Sequence, residues 1–127
     1  MPKFLSDEWF AKVDEMTKAA ASLEIPKAMK DVVVNLTVEN GGATVAMCID
    51  GGIIRKGHVP RADVDMSMPA EYALSILVRG DWSVGMKGWV ARKIKLSGNM
   101  RKLIPLQVYK ETASQEALRK QIESITG

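Results

Sequence analysis

The sequence contains two carboxylates that could act together, Asp63 and Asp65, which lie two residues apart in an alternating segment. Residues two apart on a strand project from the same face, so the pair could do acid–base chemistry if that face lined a pocket. Val64 and Met66 take the opposite, apolar face. We therefore expect the pair to lie on the solvated face of a strand, with acid–base work as the alternative.

Nucleophilic catalysis has one candidate thiol, because Cys48 is the single cysteine and His58 the single histidine. A catalytic thiol needs a neighbouring base, and nothing in the sequence brings these two side chains together. We therefore expect Cys48 to be structural. The motifs of zinc proteases, paired-Cys zinc sites, phosphate loops and serine hydrolases are missing from the sequence, so we expect a non-enzyme with no metal and no cofactor.

Length and composition set further bounds. The 127 residues fit a single domain spanning 1–127, and no apolar run reaches the roughly 18 to 20 residues of a membrane span. The first residues meet acids at once, unlike a signal peptide, and the last three are not the peroxisomal Ser-Lys-Leu, so we expect the cytoplasm. The net charge of +3 favours anionic partners slightly but lacks the dense basic stripe of a nucleic-acid binder.

Apolar periodicity and turn residues predict the elements that would position these side chains. Asn40-Gly41 and Gly51-Gly52 indicate tight hairpins, since Asn and Gly readily adopt positive φ angles. Ser6 and Thr112 are expected to cap helices, Thr112 within a Thr-Ala-Ser-Gln capping box. The predicted helices cover 7–23, 69–80, 82–90, 100–104 and 112–125, and the predicted strands cover 31–38, 43–49, 53–57, 62–67 and 93–97. This order predicts an α+β domain with a five-stranded, mostly antiparallel sheet and helices packed on one face.

Large apolar residues recur at i, i+4, i+7 and i+8 in the third helix and define one stripe. This 82–90 stripe consists of Trp82, Met86, Trp89 and Val90. Gly85 and Gly88 lie beside the stripe, and each interior Gly costs a helix about 1 kcal/mol relative to Ala. The stripe is therefore either a loosely held cover or plain core. Ile94 and Leu96 of the next strand are expected to turn the same way, inward.

Three segments then follow one another in a characteristic order. Residues 63–68 read Asp-Val-Asp-Met-Ser-Met, residues 71–80 are acidic then apolar and end in Gly, and residues 92–100 read Arg-Lys-Ile-Lys-Leu-Ser-Gly-Asn-Met before Leu-Gln at 106–107. In this order and spacing they resemble the sterol carrier protein 2 family of lipid carriers, and the resemblance covers residues 32–107. The family typically has Gly-Lys-Leu-Lys-Ile/Val-x-Gly-Asn/Asp-Met in the last segment.

The chain departs from the family pattern at three places. Arg92 stands where the family usually has Gly, and Trp82-Ser83-Val84 replaces the commoner Leu-Asp/Asn-Pro. Pro105 removes a backbone donor and pushes the preceding residue away from helical angles. The helix after Asn99 is therefore expected to be short or kinked.

The resemblance implies a non-catalytic carrier that binds a fatty acid, acyl-CoA or sterol in an apolar tunnel between sheet and helices. The eight Met residues suit such a role because Met adapts to irregular apolar shapes, although plain core filling is the alternative. Leu74 and Leu77 are candidate neighbours of the ligand, and Gln107 could offer it one hydrogen bond. The predicted ligand-binding residues are Trp82, Met86, Trp89, Val90, Ile94, Leu96, Met100, Leu103, Ile104 and Gln107.

A group of basic residues in the same region could dock transiently on an anionic membrane or hold a CoA phosphate. It comprises Arg92, Lys93, Lys95, Arg101 and Lys102. Nucleic-acid binding is the less favoured use of this group, because no exposed aromatics are predicted between the charges. A second function class is a small isomerase or hydrolase acting on a steroid-like or acyl substrate. It would need Asp63, Asp65, Tyr72 or Tyr109 as its acid or base.

Overall fold

The computed structural model describes residues 2–20, 23–81, 83–102 and 111–126, apart from the side chain of Met100. Its helices are α1 (Asp7–Ala19), α2 (Lys27–Lys30), α3 (Ala70–Ala73), α4 (Ser83–Val90) and α5 (Ala113–Ile125). Its strands are β1 (Val33–Asn40), β2 (Ala43–Asp50), β3 (Ile53–Lys56), β4 (Val64–Pro69) and β5 (Lys95–Gly98). A π-helical turn, Leu74–Val78, continues α3, and one 3-10 turn, Met100–Lys102, follows β5.

The five strands form one sheet in the order β3-β2-β1-β4-β5. Strands β1, β2 and β3 are the predicted antiparallel meander. Gly41 has a φ of 60° and Gly51 of 58°, the positive angles that two-residue hairpins require. Strand β4 pairs with β1 in parallel and with β5 antiparallel. The predicted α+β fold with a mostly antiparallel five-stranded sheet is thus confirmed.

The core lies between one face of the sheet and the helices. Alternate residues of the central strands, such as Leu36 and Val64, are buried on that face, and they form one hydrophobic cluster with Trp9 and Val13 of α1. On the opposite face, the Asn35 amide donates to the carbonyl of Val59 and accepts from its N–H, at 2.8 and 2.9 Å. Each face of β1 is therefore covered, one by helices and the other by the loop before β4.

Both predicted caps are present. The Ser6 hydroxyl accepts from the N–H of Trp9 at 3.1 Å. At α5, the Thr112 hydroxyl accepts from the N–H of Gln115, whose side chain accepts from the N–H of Thr112. These reciprocal bonds satisfy backbone donors that a helix leaves unpaired at its start.

Several predicted boundaries are wrong. Helix α1 ends at Ala19 and not near residue 23, and the short helix α2 was not predicted. Strand β5 begins at Lys95, two residues later than expected. The helix predicted after Asn99 begins as a single 3-10 turn, and its continuation at 103 and 104 lies outside the described residues. Periodicity alone marks where a pattern runs, whereas hydrogen bonding decides where an element ends.

The direction of the 82–90 stripe was also predicted wrongly for its described members, Met86, Trp89 and Val90. Met86 and Trp89 are each 54% exposed and Val90 is 71% exposed. The inner face of α4 is the glycine face: a Cβ on Gly88 would lie 2.7 Å from Cδ1 of Ile94, and one on Gly85 would lie 3.6 Å from Cδ1 of Ile76. The two glycines let the helix backbone approach buried isoleucines, so the large side chains point outward.

Candidate functional site

A cavity of about 110 Å³ opens between α1, the outer end of the β2–β3 hairpin, the π-helical turn and α5. Its walls are mainly apolar. The lining residues are Val13, Thr17, Leu23, Met29, Ile49, Gly52, Ile53, Ile54, Ile76, Leu77, Glu111, Gln115, Leu118, Arg119 and Ile122. Such a cavity can take up an apolar group, since its walls offer few polar partners to water.

Helix α5 forms one wall because its inner side repeats at the helical period. Gln115, Leu118, Arg119 and Ile122 occupy positions i, i+3, i+4 and i+7, which share one face of a helix. Towards its N-terminal end, the Thr112 hydroxyl donates to the carbonyl of Glu24 at 2.7 Å. This bond holds the start of α5 against Glu24, which belongs to the segment that links α1 to α2.

The cavity has a polar part made by an ion pair. Arg119 Nη2 lies 2.9 Å and Nε 3.1 Å from the two carboxylate oxygens of Glu111, and Nη1 donates to the carbonyl of Val78 at 3.3 Å. The two charged side chains are only 18% and 24% exposed. The hydrogen bond that Arg119 donates to Glu111, opposed by partial burial, raises the pKa of the Arg119 guanidinium. The guanidinium therefore stays charged within the cavity wall.

The fold reserves room for this guanidinium. Gly80 has a φ of 70°, and a Cβ there would lie 2.7 Å from Cζ of Arg119. A side chain at position 80 would both strain the backbone and displace the arginine. The residue that ends the preceding helical segment thus also shapes the cavity.

The predicted ligand-binding residues that the structure describes lie away from this cavity. Among the described ones, Met86, Trp89 and Val90 are exposed on α4, Ile94 is buried beneath it and Leu96 is half-buried in β5. None of these lines the cavity, although the candidate neighbour Leu77 does. Trp82, Leu103, Ile104, Gln107 and the side chain of Met100 lie outside the described residues. Ligand contact by this set stays a prediction.

The predicted basic group is partly brought together by the turn after α4 and by β5. Arg92, Lys93, Lys95 and Arg101 are exposed, whereas Lys102 is half-buried and its ammonium donates to the carbonyl of Asp31 at 3.2 Å. Arg92 has a φ of 62°, a left-handed conformation that glycine adopts most easily. That conformation explains why glycine suits this position in the family pattern.

The candidate acids and bases that the structure describes, Asp63, Asp65 and Tyr72, do not line the cavity. Asp65 is exposed, and the Asp63 carboxylate accepts from the N–H of Val33 at 2.8 Å, which joins the start of β4 to β1. Tyr72 is half-buried near Gly88, and Tyr109 lies outside the described residues. Asp63 therefore has a structural role, and Asp65 faces solvent.

Cys48 and His58 have structural roles in the sheet. Cys48 is buried, and its burial, followed by the nearby Asp50 carboxylate, raises the pKa of the thiol, so the reactive thiolate is disfavoured. His58 Nε2 lies 2.8 Å from the carbonyl oxygen of Leu36. Among the residues the structure describes, no cluster of His, Cys, Asp and Glu could hold a metal ion. No described helix is long and apolar enough to cross a bilayer.

Sequence reasoning missed the polar members of the cavity wall, Thr17, Glu111, Gln115 and Arg119. A signal was present: Gln115 and Arg119 share a helix face with the apolar residues Leu118 and Ile122. Polar residues within an apolar stripe indicate that this helix face lines a cavity and is not packed entirely into the core. The three-dimensional neighbours of that stripe could not be read from α5 itself.

No protein-family model and no curated protein matches the sequence. Solved structures do match. The crystal structure of sterol carrier protein 2 like 2 from Aedes aegypti has a TM-score of 0.56 at 16% identity, covering 80% of this chain and 97% of that chain. The solution structure of sterol carrier protein domain 2 of Helicoverpa armigera also gives 0.56, at 17% identity, covering 98% of this chain and 93% of that chain.

A third similar structure contains a ligand. The solution structure of sterol carrier protein 2 from Aedes aegypti, a complex with the C16 fatty acid palmitate, has a TM-score of 0.51 at 14% identity. It covers 84% of this chain and 94% of that chain. These similarities show that the chain has the sterol carrier protein 2 fold.

Proposed function

We propose that this chain is a non-catalytic lipid carrier of the cytoplasm that binds a fatty acid, an acyl-CoA or a sterol. The observation that carries the proposal is the apolar cavity between the sheet, α1 and α5. The palmitate complex of a structurally similar protein supports this assignment. Affinity would come mainly from removing ligand surface from water.

The cavity must enlarge to hold a whole acyl chain. Its volume is about 110 Å³, whereas ligand pockets usually measure about 300 to 1,000 Å³. Met29 is the adaptable side chain of the wall, because a thioether chain has many rotamers. We expect α5 to be one of the walls that moves, since Ile122 is its one buried residue and regions with few buried contacts open first.

The expected affinity suits a carrier. At about 0.3 kcal/mol per heavy atom, a lipid of roughly 25 to 30 atoms gains about 8 kcal/mol. That free energy corresponds to a dissociation constant near one micromolar. A carrier must release its ligand as well as hold it, and this range permits both.

The predicted ligand contacts around α4 and β5 form a second part of the proposal. Ile94 lies beneath Gly88, so a ligand reaches Ile94 only if α4 lifts. The exposed Met86 and Trp89 could contact a lipid that enters or leaves at this side. Enlargement of the cavity requires α5 to move, whereas ligand contact with Ile94 requires α4 to lift. The two movements can be tested separately.

We also propose that the basic group docks on an anionic membrane surface during transfer. Arg92, Lys93 and Lys95 are exposed directly after α4, whose outer face presents Trp89 and Val90. A helix with apolar residues outward and cations beside them suits the boundary between lipid head groups and acyl chains. Each Lys or Arg near an anionic leaflet contributes about 1 kcal/mol.

The alternative of an isomerase or hydrolase loses its two candidate carboxylates, and the carboxylate that does line the cavity, Glu111, is paired with Arg119. Neither Asp63 nor Asp65 lines the cavity, and general acid–base catalysis needs such a group within hydrogen-bond reach of the substrate.

Native mass spectrometry of protein purified from cells tests the carrier proposal. We expect bound lipid, and we expect added lipids to displace the uncharged dye Nile red. Repeated absence of bound lipid together with no displacement by a fatty acid, an acyl-CoA or a sterol would rule the proposal out.

A further inference from the structure

The charged side chains of the cavity wall neutralise each other. Among the described lining residues, Glu111 and Arg119 are the charged ones, and they form a hydrogen-bonded pair. A guanidinium alone in this position would attract a fatty-acid carboxylate. Paired with Glu111, it presents no net charge to a ligand.

The hydrogen bonds of Arg119 also occupy the edges of the guanidinium that bind carboxylates best. Glu111 takes the side formed by Nε and Nη2, with distances of 3.1 and 2.9 Å to its two oxygens. The other side, formed by Nη1 and Nη2, already has Nη1 directed at the carbonyl of Val78. A second carboxylate could bind in the two-point mode only by displacing Glu111 or the backbone carbonyl.

Other charged residues of α5 also disfavour the binding of an added anion near Arg119. Glu123 and Glu116 both contribute to raising the pKa of Arg119, after the larger effect of Glu111. Glu116 in turn pairs with Lys120 at 2.9 Å. On the described helix and its first flanking residues, carboxylates therefore outnumber cations near Arg119, and an added anion would be repelled.

An uncharged hydroxyl meets no such obstacle. A carboxylate has about four acceptor sites, and Arg119 occupies part of those on Glu111. A hydroxyl can donate to a remaining site without adding charge. It also avoids taking a full negative charge out of water, which is costly unless the charge is paired.

We propose that the Glu111–Arg119 pair makes the cavity select lipids with an uncharged hydroxyl head group over lipids with an ionised carboxylate. This inference rests on the proposed carrier function and narrows its ligand class. The pair acts as a selectivity device because Glu111 occupies the place that the carboxylate of a fatty acid would take.

The test compares 1-hexadecanol with palmitate, which share one chain length, as competitors of Nile red. At mildly alkaline pH the fatty acid is ionised, and we expect the wild-type protein to bind the alcohol at least about tenfold more tightly, since like charges near a protein surface repel by this order. Equal or tighter binding of palmitate overturns the inference and leaves the carrier function intact. Binding of neither lipid overturns both.

Three variants identify the cause. Glu111→Gln should strengthen palmitate binding by about tenfold and change hexadecanol binding little. The matched control is Glu15→Gln, which removes an exposed carboxylate of α1 that does not line the cavity and should leave the selectivity unchanged. The double variant Glu111→Gln/Arg119→Gln should lose the gain for palmitate. A gain that persists without Arg119 contradicts the inference, and the wild-type comparison decides alone if these variants fold poorly.

Discussion

Trp9 Nε1 donates a 2.9 Å hydrogen bond to Thr126 Oγ1, which joins the first turn of α1 to the end of α5 across 117 residues. Trp9 is fully buried and packs edge-on against Phe4 and Phe10, with ring centroids 5.0 and 5.1 Å apart. The bond therefore fixes the C-terminal end of α5 to a fully buried part of the core. The middle of α5, which forms the cavity wall, lies between this anchor and the capping contacts at Glu24.

Replacing Thr126 with Val should loosen this end of α5. Val keeps the shape but leaves the indole N–H of Trp9 without its partner, and an unsatisfied buried donor costs about 1 to 3 kcal/mol. We expect the free energy of unfolding in urea to fall by that amount and lipid exchange to become faster. The control is Ser124→Ala, because Ser124 is exposed and its hydroxyl donates to the carbonyl of Gln121 within the same helix. It should change stability by less than about 0.5 kcal/mol, and an equal loss in both variants would refute the anchor.

The two glycines of α4 should respond to alanine with opposite signs. A Cβ on Gly85 has ordinary contact with Ile76, so Gly85→Ala should stabilise the protein by about 0.5 to 1 kcal/mol. A Cβ on Gly88 would meet two atoms of the buried Ile94 at 2.7 and 2.8 Å, and overpacking costs about 1 to 3 kcal/mol.

Thermal or urea unfolding of both single variants measures this difference. The double variant Gly88→Ala/Ile94→Ala should be more stable than the sum of its single changes predicts, because Ile94 supplies the clash. Stabilisation by Gly88→Ala would show that Ile94 is free to move and that α4 does not pack closely against it.

A side chain that fills the cavity should block lipid binding. Leu118 lines the cavity and is half-buried, so Leu118→Trp should weaken lipid binding by at least about tenfold. Val90→Trp is the matched control, since Val90 is exposed on α4 and does not line the cavity. Dye displacement measures both variants after circular dichroism confirms their folding. The reverse result would place the ligand at α4 and not at α5.

Membrane docking should depend on the charges beside α4. Lys93→Glu/Lys95→Glu should weaken sedimentation with anionic vesicles by at least about tenfold at low ionic strength, since each reversal replaces an attraction of about 1 kcal/mol with repulsion. Added salt should reduce the difference by screening. Binding of an uncharged lipid should stay the same.

The control for docking reverses the same number of charges elsewhere. Lys12 and Lys27 are exposed on α1 and α2, and Lys12→Glu/Lys27→Glu should affect vesicle binding much less. Trp89 provides a second measurement, because its indole is 54% exposed and should shift its emission to shorter wavelength on anionic vesicles. Equal losses from both double reversals would indicate a response to net charge and would contradict a local docking surface.

Features that depend on neighbours in the chain were determined by the sequence alone. The hairpin glycines, the cap at Ser6 and the capping box at Thr112 act within four residues, and the alternation of Val34, Leu36 and Val38 marks the buried face of β1. The order of these elements sufficed to predict an α+β domain with a five-stranded, mostly antiparallel sheet, whereas the sterol carrier protein 2 fold was predicted from the resemblance of residues 32–107 to that family. The sheet was predictable because these local preferences agree with their place in the whole fold.

The location of the cavity and the orientation of α4 were decided only by the tertiary structure. Leu77, Leu118 and Ile122 carry the same apolar side chains as any core residue, and only their assembly from distant segments leaves a space between them. In α4, the large residues predict an inward stripe, but Ile76 and Ile94 occupy the room that those residues would need. The apolar pattern of an element shows how much surface that element can bury. The volume that neighbouring elements leave free decides which of its faces is buried.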